Sequence, residues 1–456
     1  MKTHSVFVCQ QCGARSPKWV GRCPECGGWN TMVETMENSK SQSASWRTNS
    51  KQKKLAAKPL SLSEIKTPKK SRVFSGIGEL DRVLGGGIVP GSVVLLAGEP
   101  GIGKSTLLLE LGAKIGGPAC RQAGLYVSGE ESLSQIKLRA ERLGIKSDNL
   151  LFLAETDVDV VIATIEKLKS ETMKQSSNQA IKQLMVIVDS IQTLYTEDLM
   201  GTPGSVGQVR ECANRLLKIA KSKDIPLFLI GHITKEGVIA GPKVLEHLVD
   251  TVLYLEGEKF GTARLLRATK NRFGPTDEVG VFQMTDKGME EVANPSALFL
   301  AQKAGKTPGS VVVATLEGTR PLLVEIQALV VSSQLAVPRR VSQGIDYNRL
   351  QMIIAVLTKI LRLPLGGFDI YVNVTGGLKI EEPAADLGVA LAIYSSFKNL
   401  SLPPKTVCFG ELGLLGEMRE VGGAHQREKE ARRLGFTNII SPKNYSSISQ
   451  VVKQLT

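Results

Sequence analysis

Gly98-Glu99-Pro100-Gly101-Ile102-Gly103-Lys104-Ser105-Thr106 has the spacing G-x-x-x-x-G-K-[ST]. An apolar run at 93–97 precedes it and a helical pattern over 107–115 follows. A strand, a glycine-rich loop and a helix in that order make a phosphate cradle. The glycines let backbone N–H groups approach the phosphates, and the helix N-terminus adds a favourable dipole. In such a loop Lys104 neutralises the β- and γ-phosphates, and the Ser105 hydroxyl ligates Mg²⁺. All nine residues are therefore candidates for binding ATP.

Further apolar runs lie at 124–127, 150–153, 185–188, 226–230 and 252–255, separated by helical stretches. That alternation predicts an α/β fold with a mostly parallel sheet covered on both faces. The run at 184–188 ends in Asp189, placed to hold Mg²⁺ through water; the competing reading is a carboxylate that caps the next helix. Ser128-Gly129-Glu130-Glu131-Ser132 follows a neighbouring strand. Glu130 and Glu131 are both candidates for the base that acts on water, and one of them can instead cap the helix that follows. The sequence leaves that choice open.

Cys9-Gln10-Gln11-Cys12 and Cys23-Pro24-Glu25-Cys26 are two C-x2-C pairs with ten residues between them. Two such knuckles complete a tetrahedral four-sulfur site suited to structural Zn²⁺, with no position open for substrate. Gly13 and Gly27 follow the second cysteine of each pair, where the turn calls for positive φ. Arg15, Lys18 and Arg22 lie near Trp19 and Trp29. Contact with nucleic acid and packing of the two indoles into a small core are both open readings. Cys120, Cys212 and Cys408 read as small buried hydrophobes.

The 456 residues carry a net charge of +13. Residues 1–70 hold ten Lys and three Arg against four Glu, a net +9. A basic arm fits either nucleic acid, through phosphate contacts, or a solvated tail. Composition divides the chain into a four-cysteine unit at 1–36, a Ser- and Lys-rich linker at 37–58, an ATPase domain at 59–295 and a second α/β domain at 310–456, with the pattern breaking at 294–309. The N-terminus lacks a secretory signal and no uninterrupted apolar run reaches about 18 residues, which predicts a cytoplasmic protein without a membrane partner.

The four-cysteine unit and the phosphate loop together with Gly129-Glu130-Glu131-Ser132, Asp189-Ser190-Ile191-Gln192-Thr193, Gly231-His232-Ile233-Thr234-Lys235-Glu236-Gly237 and Lys270-Asn271-Arg272-Phe273-Gly274 resemble the RadA (Sms) family of bacterial DNA repair proteins. The resemblance implies a RecA-like P-loop ATPase core with an N-terminal zinc ribbon. It also implies a DNA-stimulated ATPase, similar to ring-forming replicative helicases, that promotes branch migration in homologous recombination. The expected assembly is a homohexameric ring acting on single-stranded and branched DNA beside a RecA-type recombinase. Lys270 and Arg272 would then act at a subunit interface near a neighbour's nucleotide, as a trans arginine does in other P-loop enzymes; alone, the stretch reads as a surface turn. His232 and Lys235 would sense the γ-phosphate, contact DNA, or serve only as loop residues. Residues 310–456 resemble the proteolytic domain of Lon-type proteases, with Asp386 at the nucleophile position and His425 where a lysine is needed. A carboxylate cannot replace the Ser hydroxyl of a Ser–Lys dyad, so the resemblance implies a catalytically degenerate scaffold. Lys379, Arg419, Arg427, Arg432 and Arg433 are candidates for a basic surface there, or for solvated helix faces.

Overall fold

The computed structural model describes residues 4–9, 14–29, 31–37, 72–115, 122–145, 150–174, 183–232, 243–257, 262–300 and 307–455. Cys12, Gly13, Cys120, Lys235 and most of the expected linker lie outside them. At the N-terminus three short antiparallel strands, β1 (His4–Cys9), β2 (Arg15–Ser16) and β3 (Met32–Glu37), pair in the order β2-β1-β3. Their small core is Cys9, Cys23 and Met32 with Phe7, Ala14 and Val20 packed on it. So little apolar surface cannot by itself offset the cost of ordering the chain.

By its internal contacts the chain divides into two units. The first comprises Met1–Gly76, Gly86–Pro100 and Leu108–Val252. Its sheet is built from β4 (Val93–Gly98), β5 (Gln122–Ser128), β6 (Leu150–Ala154), β7 (Gln183–Asp189) and β8 (Leu227–His232). They run parallel in the order β4-β8-β7-β5-β6. Strands β4 and β7 read as continuous apolar runs because both faces are covered, as parallel sheets require. Counting β9 (Thr251–Glu256), five of the six strands contain the run expected from sequence; β8 starts one residue late, leaving Pro226 outside. Register puts Gly98 opposite His232 and Ser128 opposite Asp189, so the carboxyl ends of the strands share one edge. Ligands of open α/β sheets bind at that edge.

The second unit comprises Ile77–Gly85, Gly101–Leu107 and Leu253–Thr456. After β9 (Thr251–Glu256), which begins in the first unit, come the antiparallel β10 (Ala263–Asn271), β11 (Val279–Thr285) and β12 (Gly288–Glu291). The expected break at 294–309 contains a short helix, Pro295–Leu300. Then follow β13 (Ser310–Glu317), β14 (Arg320–Ser332), β15 (Arg340–Gln343), β16 (Phe368–Val374) and β17 (Thr406–Cys408). A two-strand hairpin, β18 (Glu411–Leu412) and β19 (Met418–Arg419), precedes β20 (Asn438–Ile440). The mixed sheet has the order β15-β16-β14-β13-β17-β20. Helices Tyr347–Ile360 and Asp386–Lys398 bury its larger core, and helix Ala424–Arg433 contributes Ala431 to a smaller one that includes Val312 and Phe409. Cys212 and Cys408 are fully buried, as expected, and burial pushes both thiols up, Cys212 to about 12. Among the described residues no helix is long and apolar enough to cross a membrane.

Candidate functional site

The loop after β4 leads into helix Lys104–Ile115, three residues earlier than the apolar pattern suggested. Gly98, Gly101 and Gly103 all take positive φ, and at Gly101 and Gly103, with φ of 78° and 114°, a side chain would be strained. Lys104 is 3% exposed and Ile102 is buried.

At the carboxyl ends of β5, β7 and β8 the acidic residues are held unequally. Ser190 Oγ donates to Glu130 Oε1 at 2.6 Å, and His232 Nε2 lies 3.5 Å from the same oxygen. Glu130 remains 45% exposed at its side chain. Arg139 instead engages both oxygens of Glu131, with Nη1 donating to Oε1 at 3.0 Å and Nη2 2.9 Å from Oε2. Neither glutamate caps the following helix: Ser132 is its N-cap and forms a reciprocal capping box with Gln135. The sequence missed that cap although Ser132 and Gln135 have the standard spacing. Gly129 has no room for a side chain, because a Cβ would fall 2.0 Å from Thr193 Oγ1. The glycine therefore lets the turn carrying both glutamates approach the segment after β7.

Asp189 is 6% exposed, and its Oδ2 accepts a hydrogen bond from the Tyr126 hydroxyl. Burial, then the Asp189 charge, push the Tyr126 phenol well up, so it stays a donor. Asp189 Oδ1 has no hydrogen bond among the described residues, which leaves one oxygen for a hydrated cation. The next helix starts at Val206 with Ser205 at its N-cap, so the capping reading of Asp189 is set aside. Gln192 brackets the backbone of His232, donating to its carbonyl at 3.1 Å and accepting from its N–H at 3.3 Å. Among the described residues neither ring nitrogen of His232 has a hydrogen bond.

In the second unit Lys270 and Arg272 lie at the end of β10 and just beyond it, and Arg272 is exposed. Asn271 braces this turn: its Oδ1 accepts from Phe273 N at 3.0 Å, and its Nδ2 donates to Val83 O at 3.3 Å.

In the ribbon, the Sγ atoms of Cys9, Cys23 and Cys26 lie within 4.8 Å of one another, with Cys9 and Cys26 at 3.7 Å. Zinc–sulfur bonds of about 2.3 Å at tetrahedral angles put sulfurs about 3.8 Å apart, so these three fit Zn²⁺. Gly27 has the expected positive φ of 73°. The core-packing reading of the tryptophans fails: Trp19 is 56% and Trp29 71% exposed. Arg22 lies over the Trp29 ring at 5.8 Å.

Asp386 opens helix Asp386–Lys398, is 4% exposed and is clamped by Arg349, whose Nε donates to Oδ1 and Nη2 to Oδ2 at 2.8 Å. Leu412 N adds a bond at 3.3 Å. Among the described residues these are its side-chain partners; His425 stands exposed on the first turn of helix Ala424–Arg433. The expected basic surface is corrected at Arg427. That side chain is 1% exposed, donates to both oxygens of Glu382 at 2.7 and 2.6 Å and to Ala314 O at 2.7 Å, and so is a core strut. Lys379, Arg419 and Arg433 pair with Glu381, Glu417 and Glu430, which neutralises much of the expected patch.

Residues 73–294 match the KaiC ATPase family, residues 7–34 the rubredoxin metal binding domain, and residues 349–445 subunit ChlI of Mg-chelatase. The chain is 49% identical over 442 residues to the DNA repair protein RadA of Bacillus subtilis (strain 168), covering 97% of this chain and 93% of that one. Identity to the DNA repair protein RadA of Pseudomonas aeruginosa is 48% over 442 residues, again 97% and 93% of the two chains. For the Aquifex aeolicus protein of the same name it is 46% over 443 residues, 97% and 94%.

Proposed function

The chain belongs to the family of the bacterial DNA repair protein RadA, and on that premise we propose that it is a DNA-dependent ATPase of recombinational repair. It works as a homohexameric ring that drives branch migration on single-stranded and branched DNA, beside a RecA-type recombinase. The observation that carries the hydrolytic part is the unequal setting of two adjacent carboxylates. Glu131 is committed to Arg139, whereas Glu130 is half exposed and oriented by Ser190 at 2.6 Å. Glu130 is therefore the base that accepts the proton of the attacking water, and Glu131 a residue that steadies the turn.

Lys104 neutralises charge on the β- and γ-phosphates, while the N–H groups of the loop 98–106 cradle them. Ser105 and Asp189 are the residues that hold Mg²⁺, with Tyr126 keeping the Asp189 carboxylate oriented. Mg²⁺ supplies neutralisation of the charge that develops on the phosphate oxygens. Lys270 and Arg272 reach a neighbouring subunit's nucleotide and link hydrolysis to movement of the ring. Cys9, Cys12, Cys23 and Cys26 hold a structural Zn²⁺. The C-terminal domain is a non-proteolytic scaffold, a reading supported by the Asp386–Arg349 pair that occupies the presumed nucleophile position. DNA as partner is supported by the net +9 of residues 1–70 and by the repair function in the relatives' name.

The test is ATP hydrolysis by the full chain with and without single-stranded DNA. Stimulation by DNA is expected. Hydrolysis indifferent to DNA would remove the motor and favour an ATP-switched scaffold, closer to the KaiC-like half of the chain.

A further inference from the structure

Strand β10 carries a buried arginine that the sequence reading passed over. Arg264 is 5% exposed; its Nε donates to the Ile102 carbonyl at 3.1 Å and its Nη1 to the Ala263 carbonyl at 2.9 Å. Burial lowers its pKa, yet a guanidinium starts so high that it stays charged. The bond to Ile102 is therefore charge-assisted, and it comes from a side chain rooted beside the buried Leu265 and Leu266.

Ile102 directly precedes Gly103 and Lys104 in the phosphate loop. In a planar trans peptide the C=O of one residue and the N–H of the next point in opposite directions. Holding the Ile102 carbonyl on the Arg264 side thus turns the Gly103 N–H to the other side. The same bend is supported from below. A Cβ on Gly103 would lie 2.5 Å from the methyls of both Met284 and Met289, so β11 and β12 floor the loop where Arg264 grips it.

We propose that Arg264 is a positioning residue of the nucleotide loop: by holding the Ile102 carbonyl it aims the Gly103 N–H at the bound phosphates. The proposal rests on the reading of 98–106 as the ATP site. Without Arg264 the peptide between Ile102 and Gly103 is free to rotate, and a carbonyl dipole facing the phosphates would oppose binding.

The test uses full-length Arg264→Met and Arg264→Lys proteins, with Lys104→Ala as control. Steady-state ATP hydrolysis and the rise in melting temperature on adding Mg·ADP are measured for each. Arg264→Met is expected to raise KM, lower kcat/KM by up to about 100-fold and lose most of the ADP-induced rise. Arg264→Lys keeps the charge but not the Nε geometry, so a fall of about tenfold is expected. A Met variant that melts earlier, yet keeps kcat/KM and the ADP-induced rise, would overturn the proposal by reducing Arg264 to a packing residue. Should the Met variant not fold, a Lys variant as active as wild type overturns it equally. Normal hydrolysis by Lys104→Ala would instead show that the loop is not the ATP site, a separate failure.

Discussion

The Ser190 hydroxyl donates to the Glu130 carboxylate across 2.6 Å, joining residues 60 positions apart. The bond ties the turn after β5 to the end of β7, one residue beyond Asp189. The segments that carry the proposed base and the proposed Mg²⁺ ligand are thereby hydrogen-bonded to each other.

Glu130→Gln should retain nucleotide binding and lose about 100-fold or more in kcat, since the amide cannot accept a proton. Glu131→Gln should cost less, because it only weakens the grip of Arg139. Steady-state hydrolysis and fluorescent-nucleotide binding separate the two effects. Equal losses in both variants would sink the assignment of Glu130 as base.

Lys104→Ala should abolish hydrolysis; losing a transition-state contact of this kind costs about 3 kcal/mol or more. Arg272→Ala should still bind nucleotide but lose DNA-stimulated turnover. Mixing the two inactive proteins should restore part of the activity, because some interfaces then join an intact loop to an intact arginine. No recovery in assemblies shown to be mixed would argue against action in trans.

Cys26→Ala should release zinc and unfold the N-terminal unit, because metal binding stands in for the missing core. Hydrolysis by the ATPase domain should survive. Metal analysis decides the point: a full zinc content in the variant would contradict the four-cysteine site.

Arg349→Ala strips the buried Asp386 of its counter-ion and should destabilise the domain by about 3 kcal/mol. Denaturant unfolding measures the loss. The intact chain should leave casein uncut with or without ATP. ATP-dependent cleavage that disappears on changing Asp386 would reinstate the protease reading.

The glycine-rich loop after β4, the six strand runs from β4 to β9 and the clustering of Cys9, Cys23 and Cys26 were all legible in the sequence. Each is written in contiguous residues, through glycine spacing, runs of apolar side chains or cysteine spacing. Trp19 and Trp29 were not legible, because an indole looks alike in sequence whether it fills a core or faces solvent. Arg427 misled for a related reason: it reads as one more charge on a basic helix, but Glu382, 45 residues earlier, draws it inside.

Local covalent order determined that this chain sets a glycine-rich P-loop motif on a parallel α/β sheet and gathers cysteines at its N-terminus. The different partners of Glu130 and Glu131 came only with the tertiary structure, as did the grip of Arg264 on Ile102, 162 residues away. The two glutamates are chemically identical and adjacent, and what separates them is which side chain arrives: Ser190, 60 residues on, for one and Arg139, eight residues on, for the other. Hydrogen bonds act over about 3 Å of space whatever the separation along the chain, so only the fold can say which groups meet.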